Sequence, residues 1–84
     1  MKRSILFFGQ LRDAAGTSVL ETVLPESVTD VPALIDWLGR ENDPLRTALR
    51  RTGVRVALDK AFVSREATLG GAREVAFMSP LSGG

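Results

Sequence analysis

The chain has 84 residues, with 11 basic and 10 acidic side chains spread along it and a net charge of +1. A domain of this size buries only about 60% of the surface of its unfolded chain, so its core will be thin. Because cysteine and histidine are absent, the composition excludes disulfides, Ser–His or Cys–His nucleophiles, an imidazole base and a typical transition-metal site within this chain. Any reaction in which the protein takes part is therefore expected to be catalysed elsewhere.

The charge pattern and the amino terminus argue against nucleic-acid and membrane binding. Nucleic-acid-binding domains concentrate their basic side chains, whereas those of this chain are scattered. The pair Arg50–Arg51 is interpreted as a solvated helix end, with a phosphate or an acidic partner as the alternative contact. The first apolar run, Ile5 to Phe8, is too short for a signal-peptide core or a membrane span. The sequence predicts a soluble, cytoplasmic protein.

The amino-terminal segment is predicted to form two strands. The stretch SILFF indicates the first strand and SVLETVL the second, and RDAAGTS between them supplies turn residues around Gly16. This pattern predicts a β-hairpin, which Pro25 closes.

The stretch TDVPALIDWLG changes to a helical period. Asp30 is a good N-cap, Pro32 is tolerated in the first turn, and Gly39 is a plausible end. Trp37 is expected to pack at the edge of this helix, with a ligand-stacking surface as the alternative. The apolar residues follow the i, i+3, i+4, i+7 spacing of an amphipathic helix at Val31, Leu34, Ile35 and Leu38.

A second, shorter helix is predicted in NDPLRTALRRTG. Asp43 is interpreted as its cap, Pro44 opens it and Gly53 ends it. The apolar side chains that share one face of this helix are Leu45, Ala48 and Leu49.

The segment after Gly53 is predicted to supply three more strands. VRVALD alternates, so one face of that strand carries Val54, Val56 and Leu58. Asp59–Lys60 then turns the chain into a short strand, AFV, and REVAFM forms the last strand. The order of elements predicts an α+β fold, a single mixed sheet with one main helix packed on one face, in one domain covering residues 1–84.

The first and last predicted strands carry apolar residues at both odd- and even-numbered positions. A strand in a sheet that is covered on one side is expected to alternate apolar and polar residues instead. Polar residues at even positions of these strands orient Phe8 and Met78 away from the core, and Phe62 is their natural neighbour. We call Phe8, Phe62 and Met78 the outer-face patch, and predict that it binds a partner. The alternative is that loops cover it. The side chains assigned to the core are Ile5, Phe7, Val75 and Phe77.

The chain ends in VAFMSPLSGG. Pro80 fixes its own backbone and biases Ser79 toward extended conformations, so the tail is expected to point away from the sheet. Residues 80–84 reach at most roughly 17 Å at ~3.3–3.6 Å each. Gly83 and Gly84 lack Cβ atoms and would fit a narrow channel. These properties fit a flexible, reactive tail at about residues 80–84, and a merely frayed terminus is the alternative.

LFFGQLRDAAGT near the start, the central VRVALDKAFV and EVAFMSPLSGG at the end together resemble the family of molybdopterin synthase small subunits. The resemblance covers nearly the whole chain. It implies the ubiquitin-like β-grasp fold and a sulfur-carrier function in molybdenum cofactor biosynthesis. The protein would then be a non-catalytic subunit, with the active site in the large subunit.

The resemblance also implies partners and roles for particular residues. Gly84 would be adenylated by a ubiquitin-activating-type enzyme that uses ATP and Mg, converted to a thiocarboxylate with sulfur from a donor protein, and would deliver that sulfur to a cyclic pterin precursor. Two carriers would flank a dimer of large subunits, which gives a heterotetramer. This chain itself would bind no cofactor or metal. The positions implied to face partners, beside the narrow neighbour Gly83, are Phe8, Arg12, Phe62, Met78, Pro80 and Leu81.

Three departures from the family pattern leave the tail chemistry intact but affect the turn geometry and the stiffness of the tail base. Asp59 stands where asparagine is usual, Ser79 replaces the first of two prolines, and GGAR, which ends in Ala72–Arg73, replaces a Gly–Asp turn. Other functions remain open: a carrier for the thiamine pathway or another sulfur pathway, a ubiquitin-like modifier of lysines, or a pure interaction domain.

Overall fold

The computed structural model describes residues 1–79 of the chain. Within them the strands are β1 (Lys2–Phe7), β2 (Val19–Val23), β3 (Arg55–Leu58), β4 (Ala61–Val63) and β5 (Glu74–Met78), and the helices are α1 (Gln10–Ala15), α2 (Val31–Leu38) and α3 (Asp43–Leu49). The strands form one sheet in the order β2-β1-β5-β3-β4. The central pair β1–β5 is parallel and the other pairs are antiparallel. The predicted mixed sheet is confirmed.

One face of the sheet packs on the helices and forms the core. The four strand residues assigned to that core are at most 2% exposed, and the rings of Phe7 and Phe77 stack with centroids 6.2 Å apart. The helices contribute Leu11 from α1 and the apolar faces of α2 and α3 to the same cluster. The parity argument therefore assigned the two sheet faces correctly. We call the face away from the helices the outer face.

The connection between β1 and β2 is a helix, which corrects the turn predicted for RDAAGTS. The two strands pair antiparallel as a hairpin should, but α1 spans Gln10–Ala15 between them. Leu11 is only 2% exposed, and burial of this side chain offsets the weak intrinsic preference of so short a helix. Gly16 does end the segment, in the left-handed conformation with φ of 81°.

Helix α2 forms as predicted. The backbone N–H of Ala33 donates to the carboxylate of Asp30 at 2.9 Å, which is the expected N-cap, and the Gly39 N–H bonds back to Ile35. Trp37 is half-buried against the edge of the core, and the guanidinium of Arg40 lies 4.1 Å from its ring centroid.

Helix α3 forms, but its predicted ends are wrong. The cap is Asn42, whose side-chain oxygen accepts from the Leu45 N–H at 3.0 Å, so Asp43 is the first helical residue. Asn42 also donates to the Ala14 carbonyl at 3.1 Å, a contact with α1 that selects it over its neighbour. The helix ends at Leu49, well before Gly53.

Arg65 explains why α3 ends there. Its guanidinium donates to the carbonyls of Leu49, Arg51 and Val54 at 2.8, 2.7 and 3.1 Å, so it satisfies acceptors at and beyond the helix end. Arg50 instead pairs with Asp36 of α2, an exposed contact of little energetic weight.

We expect Arg65→Ala to destabilise the fold by ~1–3 kcal/mol, because charge-assisted hydrogen bonds to otherwise unsatisfied carbonyls are lost. Urea denaturation measures the change, with Arg51→Ala as the control because that side chain is exposed. Equal stability of the two variants would show that Arg65 does not hold this segment.

Contacts of the β3–β4 turn connect two of the sequence departures, Asp59 and the GGAR segment. Asp59 and Lys60 have φ of 48° and 73°, which is typical of a two-residue hairpin turn. The Asp59 carboxylate accepts from the backbone N–H groups of Arg73 and Glu74, each at 3.0 Å. Aspartate at this position therefore anchors the end of the GGAR segment to the hairpin.

Candidate functional site

The three residues of the outer-face patch lie on the same face of the sheet, on or directly after β1, β5 and β4, with β3 between the last two. Met78 ends β5, Phe8 directly follows β1 with its N–H bonded to the Phe77 carbonyl at 3.0 Å, and Phe62 lies on β4. The side chains of Phe8 and Phe62 are 49% and 54% exposed, and Met78 is half-buried. Segments between residues 1 and 79 thus leave the patch accessible, so the alternative that loops cover it is wrong for this part of the chain.

Small residues lie between the large ones. Cross-strand register places Phe62 opposite Ala57, Ala57 opposite Ala76 and Ala76 opposite Leu6. Ala57 and Ala76 are only 3% and 4% exposed although they lie on the outer face. Neighbouring side chains therefore cover these two alanines, and the apolar surface accessible to a partner is formed by the larger residues around them.

Arg12 lies on α1, outside the sheet face. Its backbone N–H bonds to the Gly9 carbonyl at 3.2 Å, and its side chain is exposed. Arg12 therefore lies on a different element from the outer-face patch, although it is close to Phe8 in sequence.

The base of the tail adjoins the patch. Ser79 follows Met78 directly and is half-buried. A Cβ atom built on Gly9 would overlap the Ser79 hydroxyl oxygen, so the corner after β1 and the base of the tail are in contact. Gly9 itself has φ of 61° and ψ of −136°, a conformation almost restricted to glycine. The sequence predictions did not single out Gly9, although a glycine directly after a strand is the signal for such a close approach.

We expect Gly9→Ala to cost ~1–3 kcal/mol of stability from backbone strain and to displace Ser79. Chemical denaturation and the amide resonance of Ser79 report the two effects. Gly71→Ala is the matched control, because a Cβ there meets nothing within 4 Å and its φ is not positive. If both variants were equally stable and left the Ser79 resonance in place, Gly9 would not position the tail base.

The predictions for Pro80, Leu81, Gly83 and Gly84 lie outside the described residues, as does the predicted flexibility of that tail. Among residues 1–79, no three carboxylate side chains come together in a way that would hold a metal ion. No helix in the same range is long and apolar enough to cross a membrane.

Comparison of the sequence with known proteins identifies the family of this chain. Residues 5–84 match the ThiS family. The molybdopterin synthase sulfur carrier subunit of Mycobacterium tuberculosis is 32% identical over 84 residues, which cover 100% of this chain and 99% of that protein. The protein of the same name from Haemophilus influenzae is 26% identical over 81 residues, covering 96% and 98% of the two chains.

Solved structures show the same fold. Small archaeal modifier protein 1 of Haloferax volcanii superposes with a TM-score of 0.77 at 15% identity, over 95% of this chain and 98% of that one. A putative molybdopterin converting factor subunit 1 from Pyrococcus furiosus superposes with a TM-score of 0.75 at 23% identity, over 96% and 99%. These likenesses confirm the predicted ubiquitin-like β-grasp fold. The chain therefore belongs to the ThiS family and is a relative of the molybdopterin synthase sulfur carrier subunits.

Proposed function

We propose that this protein is the sulfur carrier subunit of a molybdopterin synthase. Its relative from Mycobacterium tuberculosis bears that name and aligns along the entire chain. The observation that carries the proposal is the continuity of the outer-face patch with the base of the tail, where Met78 is followed directly by Ser79. A partner that binds the patch would therefore receive the tail beside the bound surface.

The partner in this proposal is the large subunit of the synthase, in a heterotetramer with two carriers. The outer-face patch supplies apolar area, and Arg12 contacts the partner from α1. Pro80 and Leu81 extend the contact toward the active site of the large subunit. Residues 80–84 span at most roughly 17 Å when fully extended, which is enough to enter a deep pocket.

The chemistry in this proposal takes place on the terminal carboxylate of Gly84. A carboxylate oxygen attacks the α-phosphate of ATP in a ubiquitin-activating-type adenylyltransferase, and pyrophosphate leaves. The terminal sulfur of a persulfide on a donor protein then displaces AMP and forms an acyl disulfide. A second thiol attacks the donor's own sulfur, so that a donor disulfide forms and the thiocarboxylate is released. In the large subunit this sulfur passes to the cyclic pterin precursor. The carrier supplies the arm, and Mg and ATP belong to the activating enzyme.

The composition agrees with a carrier whose reactions are catalysed by other proteins. The chain contains no cysteine, so no internal thiol competes for the acyl-adenylate, and no histidine is present to act as a base. Gly83 and Gly84 carry no Cβ atoms, which suits a narrow channel. We propose a cytoplasmic location, where both enzymes would meet the carrier.

Partner choice separates this function from the alternatives. We expect titration calorimetry to detect a complex between the wild-type chain and the molybdopterin synthase large subunit of the source organism. The thiazole-forming partner of the thiamine pathway is the comparison. Binding to that second protein alone would assign the chain to thiamine biosynthesis, and covalent adducts on lysines of other proteins would assign it to protein modification.

A further inference from the structure

Arg55 is a positive charge set within the outer face. Its side chain is exposed, and its guanidinium carbon lies 3.8 Å from the ring centroid of Phe62. On the other side, Arg55 pairs in register with Met78 across β3 and β5. Arg55 therefore contacts one residue of the outer-face patch with its guanidinium and lies opposite a second in the sheet register.

The described part of the chain gives Arg55 no acidic partner. The ion pairs formed within residues 1–79 join Arg46 to Asp43 and Arg50 to Asp36, and the Arg55 side chain donates none of the hydrogen bonds there. Two acidic residues on or beside β3 and β5 are Asp59 and Glu74. The Asp59 carboxylate accepts two backbone N–H groups, and Glu74 begins β5 at the end opposite Met78.

Stacking on Phe62 orients the guanidinium without using its N–H groups. A guanidinium above an aromatic ring is attracted by the π-face, while its donors lie in the plane of the group and stay available at its edge. The planar fork of these donors matches a carboxylate bidentately. The contact favours this position of the side chain before any partner arrives, which lowers the entropy lost on binding.

Docking of an apolar surface on the patch would strip water from this guanidinium. A buried charge without a partner is strongly unfavourable, and a ring face compensates only part of the loss. We infer that Arg55, held on Phe62, is a specificity-determining residue, and that the partner presents an aspartate or glutamate carboxylate to it within an apolar surface. The inference rests on the proposed function, because the partner is the large subunit.

Substitution of Arg55 tests this pairing in the intact complex. We expect Arg55→Met to raise the Kd for the large subunit at least about tenfold at low salt, because the partner carboxylate is left buried and unpaired. The remaining affinity should depend less on salt than that of the wild type. Arg55→Lys should bind with intermediate affinity, since the charge remains but the planar fork is lost. Arg55→Glu should bind more weakly than either.

Arg40→Met is the matched control. Arg40 also lies over an aromatic ring, at 4.1 Å from the Trp37 centroid, but beside α2 on the helical side of the sheet. This variant should bind like the wild type. Equal or tighter binding by Arg55→Met, or an equal loss in Arg40→Met, overturns the inference while the complex itself stands. If the wild-type chain does not bind the large subunit at all, the proposed function is wrong and the inference falls with it.

Discussion

Replacing Phe8 with aspartate should weaken binding of the large subunit at least tenfold while the domain stays folded. Nearly half of the Phe8 side chain is exposed in the free protein, so much of its apolar surface is available to a partner. Complete burial of such a side chain contributes ~1.5–3 kcal/mol, so burial of its exposed half contributes about half of that, and a tenfold change in Kd corresponds to about 1.4 kcal/mol. The introduced carboxylate adds a desolvation cost. Met78→Asp should act in the same direction, and titration calorimetry measures both.

Val23→Asp is the control for these two variants. Val23 is 62% exposed on the edge strand β2 and pairs with Lys2, at the opposite end of β1 from Phe8. The Val23→Asp substitution introduces the same charge at an exposed apolar position that is remote from the outer-face patch. Thermal unfolding confirms that each variant is folded before titration. Wild-type affinity in both Phe8→Asp and Met78→Asp would remove the outer-face patch from the interface.

Appending one alanine after Gly84 should abolish sulfur loading. The extension converts the Gly84 carboxylate into an amide, which cannot attack ATP, and moves the new carboxylate beyond its required position on a residue that carries a Cβ. No side chain can take over, because the chain offers neither a thiolate nor an imidazole. The aspartate and glutamate carboxylates described here lie on the folded domain, where a deep active site would not reach them. Intact mass after incubation with the activating enzyme, ATP and a sulfur source measures the loading.

The same alanine added before Met1 is the control. Met1 is 59% exposed at the start of the chain, so this extension alters the mass equally without touching the proposed reactive end. It should load like the wild type. Equal loading of the chain extended after Gly84 would rule out its carboxylate as the acceptor.

Regular periodicity accounts for what could be predicted of the fold. The apolar spacing of α2 repeats over two turns and begins with the Asp30 cap, so both its position and its buried face follow from the sequence. Polar residues at the even positions of β1 and β5 assigned Phe8 to the outer face, although the neighbouring Phe7 is equally apolar. These patterns involve residues that are close in the chain, and a sequence displays them directly.

Contacts between distant residues account for what could not be predicted. Helix α1 has a single deeply buried residue, Leu11, and therefore shows no repeat to distinguish it from a turn. The sequence does not distinguish Asn42 from Asp43 as the cap of α3, because both residue types cap helices. The hydrogen bond from Asn42 to the Ala14 carbonyl decides between them. The stacking of Arg55 on Phe62 likewise depends on the pairing of β3 with β4.

The position of sulfur on the wild-type chain tests the central claim most directly. The chain is incubated with the activating enzyme, ATP and a sulfur source, and the product is fragmented in a mass spectrometer. The account predicts a mass gain equal to the exchange of one oxygen for one sulfur, confined to fragments that contain Gly84. Sulfur on any fragment that lacks Gly84, or no exchange in a chain that binds the activating enzyme and consumes ATP, would contradict it.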